Sequence, residues 1–284
     1  MNEDFHPKRT TKDSVFTHLF RDKKYTLQLY QALHPEEQGV TEDMIELVNL
    51  EHVLVDRDYN DLGFRVGNRL LILVEAQSTW TVNIIVRLLM YLAKTYQEYI
   101  NSREMNVYST TPLRIPKPEL YVIYTGSTPI KKDVITLSEE FFGGQQIDVD
   151  VRVHVVTDGR HGDIINQYVS FAKVYDAQIR QYGRTQQAII EIIRICKDED
   201  LLKQYLTEHE KEVTDIMITL FDQETVMKNY MKETFDKGRE EGQKENSIET
   251  AKRMLSKAMA PELVAELCDL PLTEVNALKE QLAR

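Results

Sequence analysis

The chain has 284 residues, 42% hydrophobic and 29% charged, enough to bury the core of one large domain or of one domain with an appendage. No apolar run approaches the roughly 18 residues of a membrane span, and the polar opening Met1 to Lys12 lacks the apolar centre of a signal peptide, so a cytoplasmic protein without a membrane partner is expected. A net charge of −11 counts against nucleic-acid binding by bulk electrostatics and leaves that role to local basic patches, while Cys196 and Cys268, far apart and outside any CxxC spacing, read as two reduced, packed thiols.

Residues 13 to 34 carry apolar groups at 16, 19, 20, 27, 30 and 33, the pattern of an amphipathic helix, with a break near Asp22-Lys23-Lys24. Asp13 reads as its cap or as an extra acidic group near a site. His34-Pro35-Glu36-Glu37-Gln38-Gly39 ends the helix, because the residue before a proline is driven out of helical geometry. Residues 44 to 56, rich in Ile, Leu and Val, predict the first strand.

Two β-rich runs follow, 61 to 66 and 69 to 77, separated by Gly67-Asn68, a pair that tolerates the positive φ of a two-residue hairpin. The second run is apolar on both faces from Leu70 to Val74, as in a buried central strand, and then carries Glu75 and Gln77. A short hairpin folds Asp61, at the start of the first strand, back beside the end of the second, so Asp61 and Glu75 are expected close together. Two converging carboxylates repel unless a cation sits between them, and hard oxygen ligands suit Mg²⁺ or Mn²⁺.

Residues 79 to 100 contain no helix breaker and predict a long helix with a broad buried face, capped by Ser78 or Thr79. Arg87, Tyr91, Lys94 and Glu98 fall on one stripe of it. That stripe either meets a phosphate near the acids or is a solvated face paired with acidic neighbours. After the proline-marked connection 101 to 118, Glu119 to Gly126 reads as another buried strand, Pro129 to Gln146 as mostly loop, and Ile147 to Thr157 as a half-exposed edge strand whose Asp148 and Asp150 protect the edge.

From Gly162 onwards the pattern is helical, over 163 to 181, 185 to 196, 199 to 208 and 210 to 237, the last running into the alternating charges of Phe235 to Glu245. Ile248 to Leu282 holds three short helical patterns, at 251 to 258, 261 to 267 and 273 to 282. They resemble a helix-turn-helix, yet offer few base-reading side chains and fit a small cap or an association module for a homo-oligomer better.

Asp61, a short hairpin, then Glu75-x-Gln77 is similar to the PD-(D/E)xK nuclease core, with Gln77 where that core usually carries lysine. More closely, Tyr59-Asn60-Asp61-Leu62-Gly63, Glu75-Ala76-Gln77-Ser78 and Arg87-x-x-x-Tyr91-Leu92-Ala93-Lys94, with Asp13-x-x-Phe16-x-x-x-Phe20 at the start, resemble the Rpn family of recombination-promoting nucleases, also described as transposases. The resemblance covers nearly the whole chain. It implies an α+β fold with a PD-(D/E)xK-like mixed sheet flanked by helices, a helical second half and a small helical C-terminal tail. The corresponding division is a core over 1–162, a helical extension over 163–236, a charged helical linker over 237–247 and the tail over 248–284. It also implies a metal-dependent DNA endonuclease using Mg²⁺ or Mn²⁺. Asp61, Glu75 and the Ala76 carbonyl would hold the metal, Asp61, Glu75 and Gln77 would be catalytic, and Arg87, Tyr91 and Lys94 would bind substrate phosphate. The alternative reading is a catalytically weak or inactive module on the same fold that binds nucleic acid or a protein partner.

Overall fold

The structure is a computed structural model that describes residues 15–37, 39–48, 50, 61–76, 80–126, 128–257 and 259–282; at residues 75–76, 223–231, 233–234, 237 and 240–241 it describes the backbone alone. By packing, the chain divides into Met1–Phe221 and Asp222–Arg284.

The first unit opens with α1 (Val15–Arg21) and α2 (Lys23–Leu33). The break falls at Asp22, whose carboxylate accepts from the Lys24 amide at 2.9 Å and so caps the second helix. His34 ends α2 before Pro35. Strand β1 (Ile45–Val48) follows a 3-10 turn, and residues 51–60 of the expected first strand lie outside the described residues. The hairpin β2 (Asp61–Val66) and β3 (Arg69–Ala76) then forms as expected, closing with Val66 opposite Arg69. Gly67 supplies a φ of +56°, which costs a residue without Cβ nothing.

Helix α3 (Ile84–Ser102) begins later than the apolar pattern predicts, with Asn83 at its N-cap, and the expected caps Ser78 and Thr79 lie outside the described residues. Strand β4 (Lys117–Tyr124) matches expectation, whereas the predicted loop 129–146 contains β5 (Val134–Thr136) and α4 (Leu137–Phe142). The last strand, β6 (Arg152–Val156), is shorter than the alternating pattern and is not an edge. Sheet order is β1-β2-β3-β4-β6-β5, so the edge position belongs to β5. Asp150 does not guard an edge either: it accepts from the amide and hydroxyl of Ser138, at 2.9 and 2.7 Å, and fixes the start of α4. Pairing is antiparallel across β1, β2 and β3, parallel from β3 to β4 to β6, and antiparallel from β6 to β5, an α+β mixed sheet flanked by helices.

The sheet buries both faces. On one, Leu62, Phe64, Val66, Leu71 and Leu73 pack against α1, α2 and the helices α5 (Ile164–Tyr182), α6 (Gln186–Asp198) and α7 (Lys203–Glu208), joined by Val213, Met217 and Phe221 from the start of α8 (Glu210–Ser256). On the other, Leu70, Ile72 and Val74 meet Ile84, Ile85, Leu88 and Tyr91 of α3. Period-2 alternation along β3 divides its side chains between the two cores, so a run apolar at every position is what this strand needs.

In the second unit, α8 continues through the charged stretch to Ser256, so the pattern at 251 to 258 is the end of that helix and not a separate one. Helices α9 (Pro261–Cys268) and α10 (Leu272–Leu282) complete a small core of Ala251, Val264, Cys268, Leu270, Val275 and Leu278. No helix among the described residues is long and apolar enough to cross a membrane.

Candidate active site

The site is built on the first residue of β2, the last residues of β3 and the first half of α3. Asp61 has Val74 as its Cα partner across the hairpin, and Glu75 is the next residue along β3, in register with Ile123 of β4. Ala76 ends the strand beside Tyr124. Gln77 lies outside the described residues, as do the side chains of Glu75 and Ala76.

Asp61 shares the face of Val74 and therefore looks toward α3. That helix is held there by Ile84, Ile85, Leu88, Tyr91 and Thr95, a buried stripe at helical spacing. Arg87 projects from the border of the stripe and its Nη2 donates to Asp61 Oδ1 at 3.1 Å. The Asp61 side chain is 2% exposed. Burial pushes its carboxyl up to about 6, against the opposing pull of the Arg87 charge and of hydrogen bonding from Tyr91 and Arg87. Tyr91 thus stands near enough to favour the charged form, yet Asp61 Oδ2 is buried and has no hydrogen bond of normal geometry among the described residues. A carboxylate oxygen left without a donor in a desolvated place costs free energy, on the order of 1–3 kcal/mol, unless something else meets it. A hard divalent cation bound by oxygen would fit that atom.

The stripe read from the sequence does not act as one group. Arg87 and Tyr91 turn to Asp61, whereas Lys94 sits at the surface, 3.4 Å from Gln97 Oε1 and 3.9 Å from Glu98 Oε1, and takes no part in the cluster. One group at this end of the sheet escaped the sequence reading. Tyr124, the last residue of β4, has a buried hydroxyl without a hydrogen-bond partner among the described residues, and its ring meets Trp80 edge-on at 5.5 Å. Gly126 lets that ring pass, since a Cβ there would come within 2.4 Å of the hydroxyl. In an apolar strand a tyrosine reads as packing, so only the pairing of Tyr124 with Ala76 brings it to notice.

Compared with protein families, with curated proteins and with solved structures, the chain finds no match in any of the three.

Proposed function

We propose that the chain is a metal-dependent phosphodiesterase that cuts DNA, of the PD-(D/E)xK kind. The observation that carries this reading is the buried Asp61 carboxylate at the start of β2, whose Oδ2 has no hydrogen bond of normal geometry among the described residues although Tyr91 stands beside it, with Glu75 the residue after its strand partner Val74. Asp61, Glu75 and the Ala76 carbonyl would hold Mg²⁺ or Mn²⁺. When bound, such a cation supplies an activated water and offsets charge gathering on the phosphate.

The chain's own groups have separate tasks. Arg87 and Tyr91 hold Asp61 in one position and favour its charged form. Arg87 is 23% exposed, so its guanidinium can share its positive charge with a phosphate without leaving the carboxylate. Gln77, by its amide, can orient a water through hydrogen bonds but supplies no positive charge, which makes Arg87 the nearby cation for the reaction.

A second reading is favoured by one observation, the ion pair between Arg87 and Asp61: an acid already neutralised by the protein fits a nuclease fold that binds nucleic acid or a protein without cutting. A cleavage assay with Mg²⁺, Mn²⁺, Ca²⁺ or EDTA separates the two. Under the first reading Mg²⁺ or Mn²⁺ supports cleavage, EDTA stops it, and Asp61→Ala and Glu75→Ala each reduce the rate at least about 100-fold. DNA left uncut by the parent chain, or an Asp61→Ala variant cutting as fast as the parent, refutes it.

A further inference from the structure

The end of α3 remote from Asp61 carries a patch of opposite sign to the chain as a whole. Along β2, Leu62, Phe64 and Val66 pack on one face, so alternation leaves Asp61 and Arg65 on the face toward α3. Arg87 meets Asp61 at one end of this track, and the Arg65 guanidinium lies over Tyr99 at the other, 5.1 Å from the ring centroid. Positions 87, 91, 95, 99 and 103, about one per turn, lead from the candidate site to Arg103, about 24 Å away at 1.5 Å per residue. Arg103 lies over the same Tyr99 ring, at 4.0 Å.

The loop that follows is basic and held in shape. Residues 105–118 contain Arg114 and Lys117 and no Asp or Glu, in a chain with 46 acids and a net charge of −11. Arg103 and Arg114 are exposed and have no carboxylate partner among the described residues, whereas Arg65, Arg69 and Arg87 are each tied to one. Of the neighbouring acids, Glu46 is held by Arg65, Glu98 stands 3.9 Å from Lys94, and Glu119 is buried against Arg69. Glu104, next to Arg103 in the chain, is the exposed negative charge of the patch. The loop's path is fixed by its own polar groups. The Met105 amide donates to the Ile100 carbonyl at 3.0 Å, Asn106 Oδ1 accepts from the Tyr108 amide at 2.9 Å, and the Tyr96 hydroxyl donates to the Pro116 carbonyl at 2.7 Å. On this frame Tyr108 is 92% exposed, the most exposed large apolar side chain among the described residues, beside Val107 at 57%.

We propose that this patch binds a single strand of DNA, with Arg103 and Arg114 on its phosphates and Tyr108 stacked on an unpaired base. The inference rests on the reading of the chain as a protein that acts on DNA, and assigns where the strand runs beyond the candidate site. A negative net charge leaves nucleic-acid contact to local cations free of acids, and two such guanidiniums flank Tyr108 in sequence. Guanidiniums match phosphate oxygens with paired hydrogen bonds. A ring clear of the surface offers its face to any base that is free of its neighbours, whereas the bases of a duplex are already stacked on one another. Because the loop is ordered beforehand, little conformational freedom is lost on binding.

The test is fluorescence anisotropy of a labelled strand of about 30 nucleotides, single or annealed as a duplex, with the full chain in EDTA, where nothing is cut. The parent should bind the single strand more tightly than the duplex. Tyr108→Ala should weaken single-strand binding at least about five-fold and leave duplex binding unchanged. Arg103→Gln together with Arg114→Gln should weaken it at least about ten-fold and reduce the slope of log affinity against log salt by about 1.4, the share of two phosphates. Arg194→Gln, which removes a surface cation already paired with Glu191 and Asp198, should leave binding as it is. No binding by the parent, equal binding of the two DNA forms, unchanged affinity in the loop variants, or an equal loss in Arg194→Gln overturns the proposal. Cleavage is read separately. A chain that binds in this way but cuts nothing with Mg²⁺ keeps the patch and loses the proposed chemistry; a chain that cuts while its loop variants bind as the parent does keeps the chemistry and loses the patch.

Discussion

At the scale of single residues, Asp61 makes the sharpest demand. Its carboxyl titrates near 6 in the folded chain, against an ordinary value of 3.8. The folded state therefore holds its proton more tightly than the unfolded state does. The consequence is a contribution to stability that is full below pH of about 4, declines as pH rises from about 4 to 6 and is absent above, amounting to on the order of 3 kcal/mol. Other carboxylates, such as Glu37 and Asp150, are held low and pull the opposite way, so the parent profile alone will not isolate Asp61. The difference between the melting profiles of the parent and of Asp61→Asn will. That difference should shift in favour of the variant between pH 4 and 6 and level off beyond; parallel profiles would mean that Asp61 titrates at an ordinary value. If the site holds a cation, affinity for Mn²⁺ should rise through the same range, because proton and metal compete for one carboxylate.

At the scale of elements, what the sequence makes legible is what local chemistry decides. Asp22 announces the break between α1 and α2 because a cap is a two-residue interaction, and Gly67-Asn68 announces the hairpin because a turn needs its φ. The alternation along β6 suggests an edge where the sheet has an interior strand, because alternation reports exposure and not which strands lie alongside. The three residues of β5 are too few to carry a period. Of the candidate site, the placing of Arg87 and Tyr91 on one stripe of α3 is legible in the sequence, whereas their meeting with Asp61 is decided by how that helix packs on the sheet. A polar cluster of His34, Arg69 and Glu119 is not legible, since it joins three elements across 85 positions and only tertiary packing assembles it. Helix α8 poses the reverse case, a helix whose apolar spacing at Val213, Met217 and Phe221 gives way to a charged stretch and which nevertheless runs from Glu210 to Ser256. Its interior glycines, Gly238 and Gly242, have no described residue within 4 Å of where a Cβ would stand. Alanine at both should therefore raise stability by about 0.8–1 kcal/mol per position, read from urea unfolding followed by circular dichroism. A loss of stability instead, or the break-up of an oligomer, would show that the glycines serve close contact with another helix.

For the whole molecule, the question is how much of the chain the sheet requires. Every described residue of the two cores on its faces lies at or before Phe221, and the last three of them, Val213, Met217 and Phe221, recur every four residues along the first turns of α8. All three are buried against the sheet's helical cover, at 0%, 0% and 5% exposure. Apolar side chains of this size contribute about 1.5–3 kcal/mol each when fully buried. A chain of residues 1–221 keeps these contacts and should unfold in one cooperative transition; a chain of residues 1–209 loses them and should be several kcal/mol less stable. The second unit, with a core of six buried residues among those described, is too small to expect stability by itself, so a chain of residues 222–284 should show helix without a cooperative melt. Urea unfolding of the three chains decides this. Equal stability for 1–209 and 1–221 would mean that the start of α8 covers the core without holding it. Cooperative unfolding of 222–284 would make the tail a domain in its own right, and DNA cleavage by 1–221 would then confine the proposed chemistry to the first unit.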